Sequence, residues 1–270
     1  MGSGRRVVLV AAFGVSFVAA ALLSSRVLPS HVLARGRSTP PLAAFTGTPL
    51  AALPSALDIR RLVPLSDPTA DTRWAPVLRA SIARSEPRAR AAPVGQLPTL
   101  TPEGTTNIVV ADDEADVDGT AWVRVSLSVL PNGTEGWVPR SSLGGWSFVD
   151  TRLVINRARF TATLYRAGRV IFRAPVGVGA PGTPTPAGKF YVRDRLTGFS
   201  SPIYGPLAFG TNARSPTLTD WPGGGVVGIH GTNQPGLIPG RISHGCVRLT
   251  NGAIIRLGGL MPVGTPVMIE

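Results

Sequence analysis

One cysteine is present in the sequence, Cys246, and two of the three histidines, His230 and His244, share residues 229–251 with it. A single cysteine cannot close a disulfide within its own chain. The reactive form of a thiol is the thiolate, which needs a nearby base or a positive field to exist near neutral pH. A cysteine beside histidines in a glycine-rich loop therefore points to nucleophilic catalysis, with an imidazole taking the thiol proton. Two plainer readings compete with it. A lone cysteine is often a small buried hydrophobe, and one Cys with two His is also a three-ligand set for zinc. Between Asp220 and Glu270 there is no Asp or Glu, so no carboxylate lies close in sequence to orient a metal-bound imidazole. The expectation is a nucleophile, with no metal and no cofactor.

Both histidines qualify as the base. His244 is two residues from Cys246 and would share its face on a strand. His230 would need an acceptor for its other ring nitrogen; a backbone carbonyl such as that of Gly231 is available, with the Thr232 hydroxyl nearby. Gly245 allows a sharp turn that would aim the amides of Gly245 and Cys246 at an oxyanion. The planar fork of Arg248 suits a carboxylate.

The elements that must hold these groups are strands. Gly (32) and Pro (26) are abundant and aromatic residues few, a balance that favours turns and strands over long helices. Val123, Val125, Leu127 and Val129 alternate with Arg124, Ser126 and Ser128. Pro131-Asn132-Gly133 is then a turn, and Gly136-Trp137-Val138-Pro139 the return strand. Residues 107–111, 153–156, 160–166 and 170–176 read as further strands, with Ala167-Gly168 as a tight turn. A helix is expected over 251–258 and a short one around 72–85. The fold class is mostly β.

Residues 1–6 carry Arg5 and Arg6 ahead of an apolar run over 7–23, the pattern of an export signal or N-terminal anchor. The run is short for a membrane span, and its one A-x-A site lies inside it, which favours an uncleaved anchor with the rest of the chain extracytoplasmic. Residues 25–93 are rich in Ala, Pro, Arg and Ser and read as a linker, His31 having no assigned role. The net charge is +12, carried almost wholly by Arg, with Lys189 the only lysine. That suits an anionic partner, although a compositional bias would produce the same balance. No basic run is interleaved with aromatics, so nucleic acid is not expected.

Two segments resemble known families. The WVRV and NGTEGWVP pattern within 94–147 is similar to the bacterial SH3-like domain, a small β-barrel. Three motifs in order, TPTPAGKF at 183–190, Gly228-Ile229-His230-Gly231-Thr232 and Ser243-His244-Gly245-Cys246, resemble the YkuD-type L,D-transpeptidase catalytic domain, with the match covering 151–270. After the cysteine stands Val-Arg-Leu in place of the His-Asn of some relatives. The resemblance implies a β-sandwich catalytic domain that releases terminal D-Ala from peptidoglycan stem peptides and joins two stems through a cysteine acyl-enzyme. It implies Cys246 as nucleophile and His230 as base, with His244, Gly245, Gly231 and Ser243 supporting them. Arg248, Tyr204 and Thr232 are implied in substrate binding, and Tyr204, Phe209 and Thr211 in a lid. The expected organisation is a signal or anchor over 1–24, a linker over 25–93, the SH3-like domain over 94–147 and the catalytic domain over 148–270, in a monomer. An L,D-carboxypeptidase using the same acyl-enzyme, and a non-catalytic wall-binding protein, remain as alternatives.

Overall fold

The computed structural model describes residues 62–67, 71–218 and 225–270. The expected anchor or signal over 1–24 lies outside the described residues. Among the described residues no helix is long and apolar enough to cross a membrane.

The first sheet is built from β1 (Leu62–Pro64), β2 (Thr72–Pro76), β3 (Ser81–Arg84), β4 (Pro93–Leu97), β5 (Ile108–Val117), β6 (Thr120–Ser126), β7 (Glu135–Pro139) and β8 (Ser147–Val149). Its order is β4-β3-β7-β6-β5-β2-β8, with β1 also on β5. The alternating run expected over 123–129 is strand only as far as Ser126, the end of β6, and residues 127–134, with the turn at 131–133, link it to β7. Val123, Val125 and Val138 point inward and pack with Ala75, Val77, Ala83 and Val109.

Two expectations are corrected here. The linker proposed over 25–93 contains β1, β2 and β3 and the first residue of β4, so this sheet begins well before residue 94. The short helix around 72–85 is instead two strands. Pro76 would break a helix there, and the small residues Ala75 and Ala83, both fully buried, let β2 and β3 lie close against the core.

The second sheet is built from β9 (Thr151–Asn156), β10 (Thr161–Arg166), β11 (Arg169–Pro175), β12 (Gly177–Gly179), β13 (Gly188–Leu196), β14 (Ala208–Arg214), β15 (Val226–His230), β16 (Gly240–Ser243), β17 (Val247–Arg248) and β18 (Pro266–Ile269). Its order is β11-β10-β9-β18-β13-β14-β15-β17-β12-β16. The helix expected over 251–258 is α1 (Asn251–Gly258), whose N-cap Thr250 accepts from the Ala253 N–H. Ala253, Ile254 and Leu257 form its buried face and join Leu153, Ile155, Leu164, Phe209, Ile229, Val247 and Leu249 in one core. Burying a side chain of this size contributes about 1.5–3 kcal/mol, so the strands carrying the site are anchored through their apolar neighbours.

The first sheet packs on β13 and β14. The buried Tyr191 hydroxyl meets the carbonyl oxygens of Ile108 (3.1 Å) and Ser126 (3.3 Å). Asn132, in the hairpin turn, bonds the Arg214 backbone through both ends of its amide. Arg193 is almost fully buried and pairs with Glu103 at 2.9 Å. These contacts brace β14, which is hydrogen-bonded to β15.

Candidate active site

Strand β15 lies between β14 and β17, and its last residue is His230. The imidazole is 3% exposed, and its Nδ1 lies 2.6 Å from the carbonyl oxygen of Gly231. A carbonyl only accepts, so in the neutral ring Nδ1 carries the hydrogen and Nε2 the lone pair. Burial holds the His230 pKa down at about 4, assisted by the Arg248 charge and opposed by the Gly231 carbonyl. At neutral pH the ring is uncharged and able to accept a proton.

Cys246 lies in the loop between β16 and β17. Parallel pairing sets Ile229 opposite Val247 and His230 opposite Arg248, which brings the cysteine alongside β15. The Gly228 N–H donates to Cys246 Sγ at 3.4 Å. A Cβ added at Gly228 would lie 3.9 Å from both Cys246 Sγ and His230 Cδ2. Thiol and imidazole therefore flank one space that the missing side chain leaves open. Burial raises the Cys246 pKa, while the Gly228 N–H and the Arg248 charge lower it, with a net upward shift. The resting pair is a neutral thiol and a neutral imidazole.

The nucleophile loop is held from behind. Ser243 Oγ donates to the Cys246 carbonyl at 2.5 Å and accepts from the Gly245 N–H at 3.2 Å. Gly245 has φ +117°, a region that glycine enters without a side-chain penalty. The Thr185 hydroxyl donates to the Gly245 carbonyl at 2.8 Å. The turn at 183–186 thus props the loop, and Thr183 adds a bond to the Ser243 carbonyl at 3.3 Å.

In front of the loop is a cavity of about 160 Å³ whose lining includes His230, His244, Cys246, Arg248 and Tyr204. The Tyr204 ring meets His230 edge-on at 5.1 Å and Phe199 at 5.3 Å. Arg248 is buried, and its Nε has no hydrogen-bond partner. His244 is exposed at the rim. Among the described residues no group of three or more His, Cys, Asp or Glu could hold a metal ion.

The structure brings Cys246, His230, His244, Arg248 and Tyr204 together at the cavity and sets the other sequence candidates behind it. Ser243, Gly245 and Gly231 act as backing. Thr232 does not line the cavity: it is 1% exposed, its N–H donates to Asn251 Oδ1 and its hydroxyl accepts from the Gln234 N–H. Its expected part in substrate binding is corrected to a structural one. Phe209 and Thr211 are not lid residues either; both are fully buried in β14, and Thr211 Oγ1 bonds the Val227 carbonyl. The Gly245 amide, expected at an oxyanion, is engaged by Ser243, which leaves the Cys246 amide of that pair.

Sequence comparison matches the L,D-transpeptidase catalytic domain family YkuD over residues 150–269. A Bacillus subtilis (strain 168) relative carrying the name L,D-transpeptidase YkuD is 36% identical over 122 residues, 45% of this chain and 67% of that protein. The chain belongs to the YkuD family of L,D-transpeptidase catalytic domains. The catalytic domain of an Enterococcus faecium L,D-transpeptidase, solved by NMR, is 28% identical with a TM-score of 0.35, covering 45% of this chain and 97% of that one. Against a crystallised Enterococcus faecium L,D-transpeptidase mutant the identity is 25%, the TM-score 0.36 and the coverage 45% of this chain. The chain spans about half the length of that protein, 50%.

Three residues of this YkuD-family site were missed by sequence reasoning. Gly228 stands two residues before His230 in the Gly228-Ile229-His230-Gly231-Thr232 segment, where its residue type signals no role of its own. Thr185 sits inside the TPTP turn, where its sequence signal was read as scaffold. Asn251, just after the loop, holds the Thr232 N–H with its side chain, and a Cβ on either Gly205 or Gly231 would fall within 2.5 Å of its Oδ1.

Proposed function

We propose that this protein is an L,D-transpeptidase that joins peptidoglycan stem peptides directly through a thioester on Cys246, releasing terminal D-Ala. The observation that carries this is the orientation of His230: its Nδ1–H is committed to Gly231, so Nε2 is free to take the proton of a thiol across the space above Gly228. In the first step Cys246 Sγ attacks the carbonyl of the third stem residue as its proton passes to His230. The oxyanion forms beside the Cys246 amide. Collapse of the tetrahedral species breaks the amide bond, and His230 returns the proton to the leaving D-Ala amine. A side-chain amine of a second stem then attacks the thioester, gives its proton to His230 and leaves a new amide. The thiolate takes that proton back.

Arg248 suits the D-Ala carboxylate. It is a buried cation beside both reacting groups, with an Nε that has no protein partner, and an Arg–carboxylate pair is among the stronger charge-assisted contacts. Its charge also lowers the Cys246 pKa, which favours the thiolate as it forms. On this reading the catalytic unit works outside the cytoplasm, tethered by residues 7–23. The first sheet is then an SH3-like module that docks on the wall.

Incubation with a stem tetrapeptide and mass analysis of the products tests the reaction. Dimers lacking one D-Ala are expected. Tripeptide alone would make the protein an L,D-carboxypeptidase with water as acceptor. Wall binding without turnover, unchanged in Cys246→Ala, would make it a non-catalytic binder.

A further inference from the structure

The Thr185 hydroxyl is 1% exposed and makes two hydrogen bonds, accepting from the Gly179 N–H at 2.8 Å and donating to the Gly245 carbonyl at 2.8 Å. A Cβ on Gly179 would lie 2.3 Å from the Thr183 carbonyl and 2.4 Å from the Thr185 nitrogen. The turn is therefore clamped onto β12 where only glycine fits, and its hydroxyl reaches from that clamp to the nucleophile loop. The Gly245 carbonyl and the Cys246 N–H belong to the same planar trans peptide and point in opposite directions. Holding the carbonyl on Thr185 fixes the Cys246 N–H on the far edge of that plane, away from the turn. Gly245 at φ +117° has the backbone freedom that would let this peptide rotate, and the hydroxyl is the group that opposes rotation.

We infer that Thr185 is a positioning residue: it fixes the Cys246 amide as the oxyanion donor. This rests on the acyl-transfer reading above. Losing an oxyanion donor outright costs about 10²–10³ in rate, and a donor free to rotate loses part of that.

The experiment compares two reactions of Cys246 in the full chain. Acylation by a carbapenem builds an oxyanion, whereas alkylation by iodoacetamide needs only the thiol and its base. Thr185→Val keeps the shape of the side chain and removes the hydroxyl. Acylation is expected to fall about 10–100-fold, with alkylation within about twofold of the parent. Thr185→Ser keeps the hydroxyl and is expected to acylate within about threefold of the parent. Equal falls in both reactions, or none in acylation, would overturn the inference, as would a serine variant as slow as the valine one. If the valine variant does not fold, Thr185→Ala carries the same comparison. An unmodified protein that alkylates but is not acylated would defeat the acyl-transfer reading itself.

Discussion

His230 and Arg248 are register partners across the parallel strands β15 and β17, so a buried cation stands beside the candidate base. This pairing adds to burial, the larger effect, in keeping the imidazole neutral. Burial disfavours imidazolium, Arg248 adds to that, and the Gly231 carbonyl fixes the tautomer without supplying a negative charge.

The first prediction concerns pH and the thiol. With the Cys246 pKa raised and His230 neutral, the rate of iodoacetamide alkylation should climb steadily from pH 6 to pH 9. A thiolate–imidazolium pair, as in a papain-like site, would instead give a plateau across neutral pH. Stopped alkylation with mass detection measures the profile.

Stability should depend on His230 in acid. Its folded pKa, about 4, lies below the ordinary imidazole value of about 6.5, so the unfolded chain binds the extra proton first. The contribution is fully present above about pH 6.5 and is lost as pH falls toward 4, on the order of 3 kcal/mol in all. Denaturant unfolding of the parent and of His230→Asn across this window should show a shallower slope for the variant.

Gly228→Ala should separate folding from turnover. A methyl there meets Cys246 Sγ and His230 Cδ2 at 3.9 Å, an ordinary contact, but it occupies the space the two groups flank. Acylation should fall by about 10-fold or more, by analogy with the sensitivity of reactivity to small misplacements, while the melting temperature stays within a few degrees. Calorimetry and acylation kinetics together check this.

Arg248→Lys should not substitute for arginine, because a point charge cannot reproduce the fork. KM for a tetrapeptide with a free terminal carboxylate is expected to rise at least 10-fold in Arg248→Lys and further in Arg248→Gln. A terminally amidated peptide should show little difference in KM among the three proteins, the loss of the Arg248 charge beside Cys246 and His230 appearing in kcat instead. Steady-state kinetics on both peptides decides it.

Tyr191→Phe should loosen the first sheet from the second. It removes the hydroxyl that meets the Ile108 and Ser126 carbonyls, at a cost of about 0.5–1.5 kcal/mol. Urea unfolding measures that loss.

Much of this site was legible because its chemistry is local. Cys246, His230 and the Gly231 carbonyl sit in short motifs, whereas β15, β16 and β17, which carry them, are too short and irregular in pattern to read from alternation. The 131–133 hairpin carries a Pro-Asn-Gly turn signal, and helix α1 falls on the expected residues 251–258. What stayed hidden depends on register between distant segments. Gly228 matters only because β15 and β17 run parallel with Ile229 opposite Val247. Thr185 matters only because its turn folds back on Gly245, 60 residues away. The strands β2 and β3 were obscured by composition: small residues, arginine and proline carry weak periodicity, and their strand character comes from pairing in the first sheet. Thr232, beside the site in sequence, and Thr211, expected in a lid from the resemblance alone, both have hydroxyls already bonded to the backbone.

The intact mass of the protein after brief mixing with a stem tetrapeptide tests the nucleophile directly. An adduct equal to the tetrapeptide less D-Ala, mapped to Cys246 and absent from Cys246→Ala, is the expected result. Turnover of the peptide with no adduct on Cys246, or the same turnover by Cys246→Ala, would contradict a cysteine acyl-enzyme.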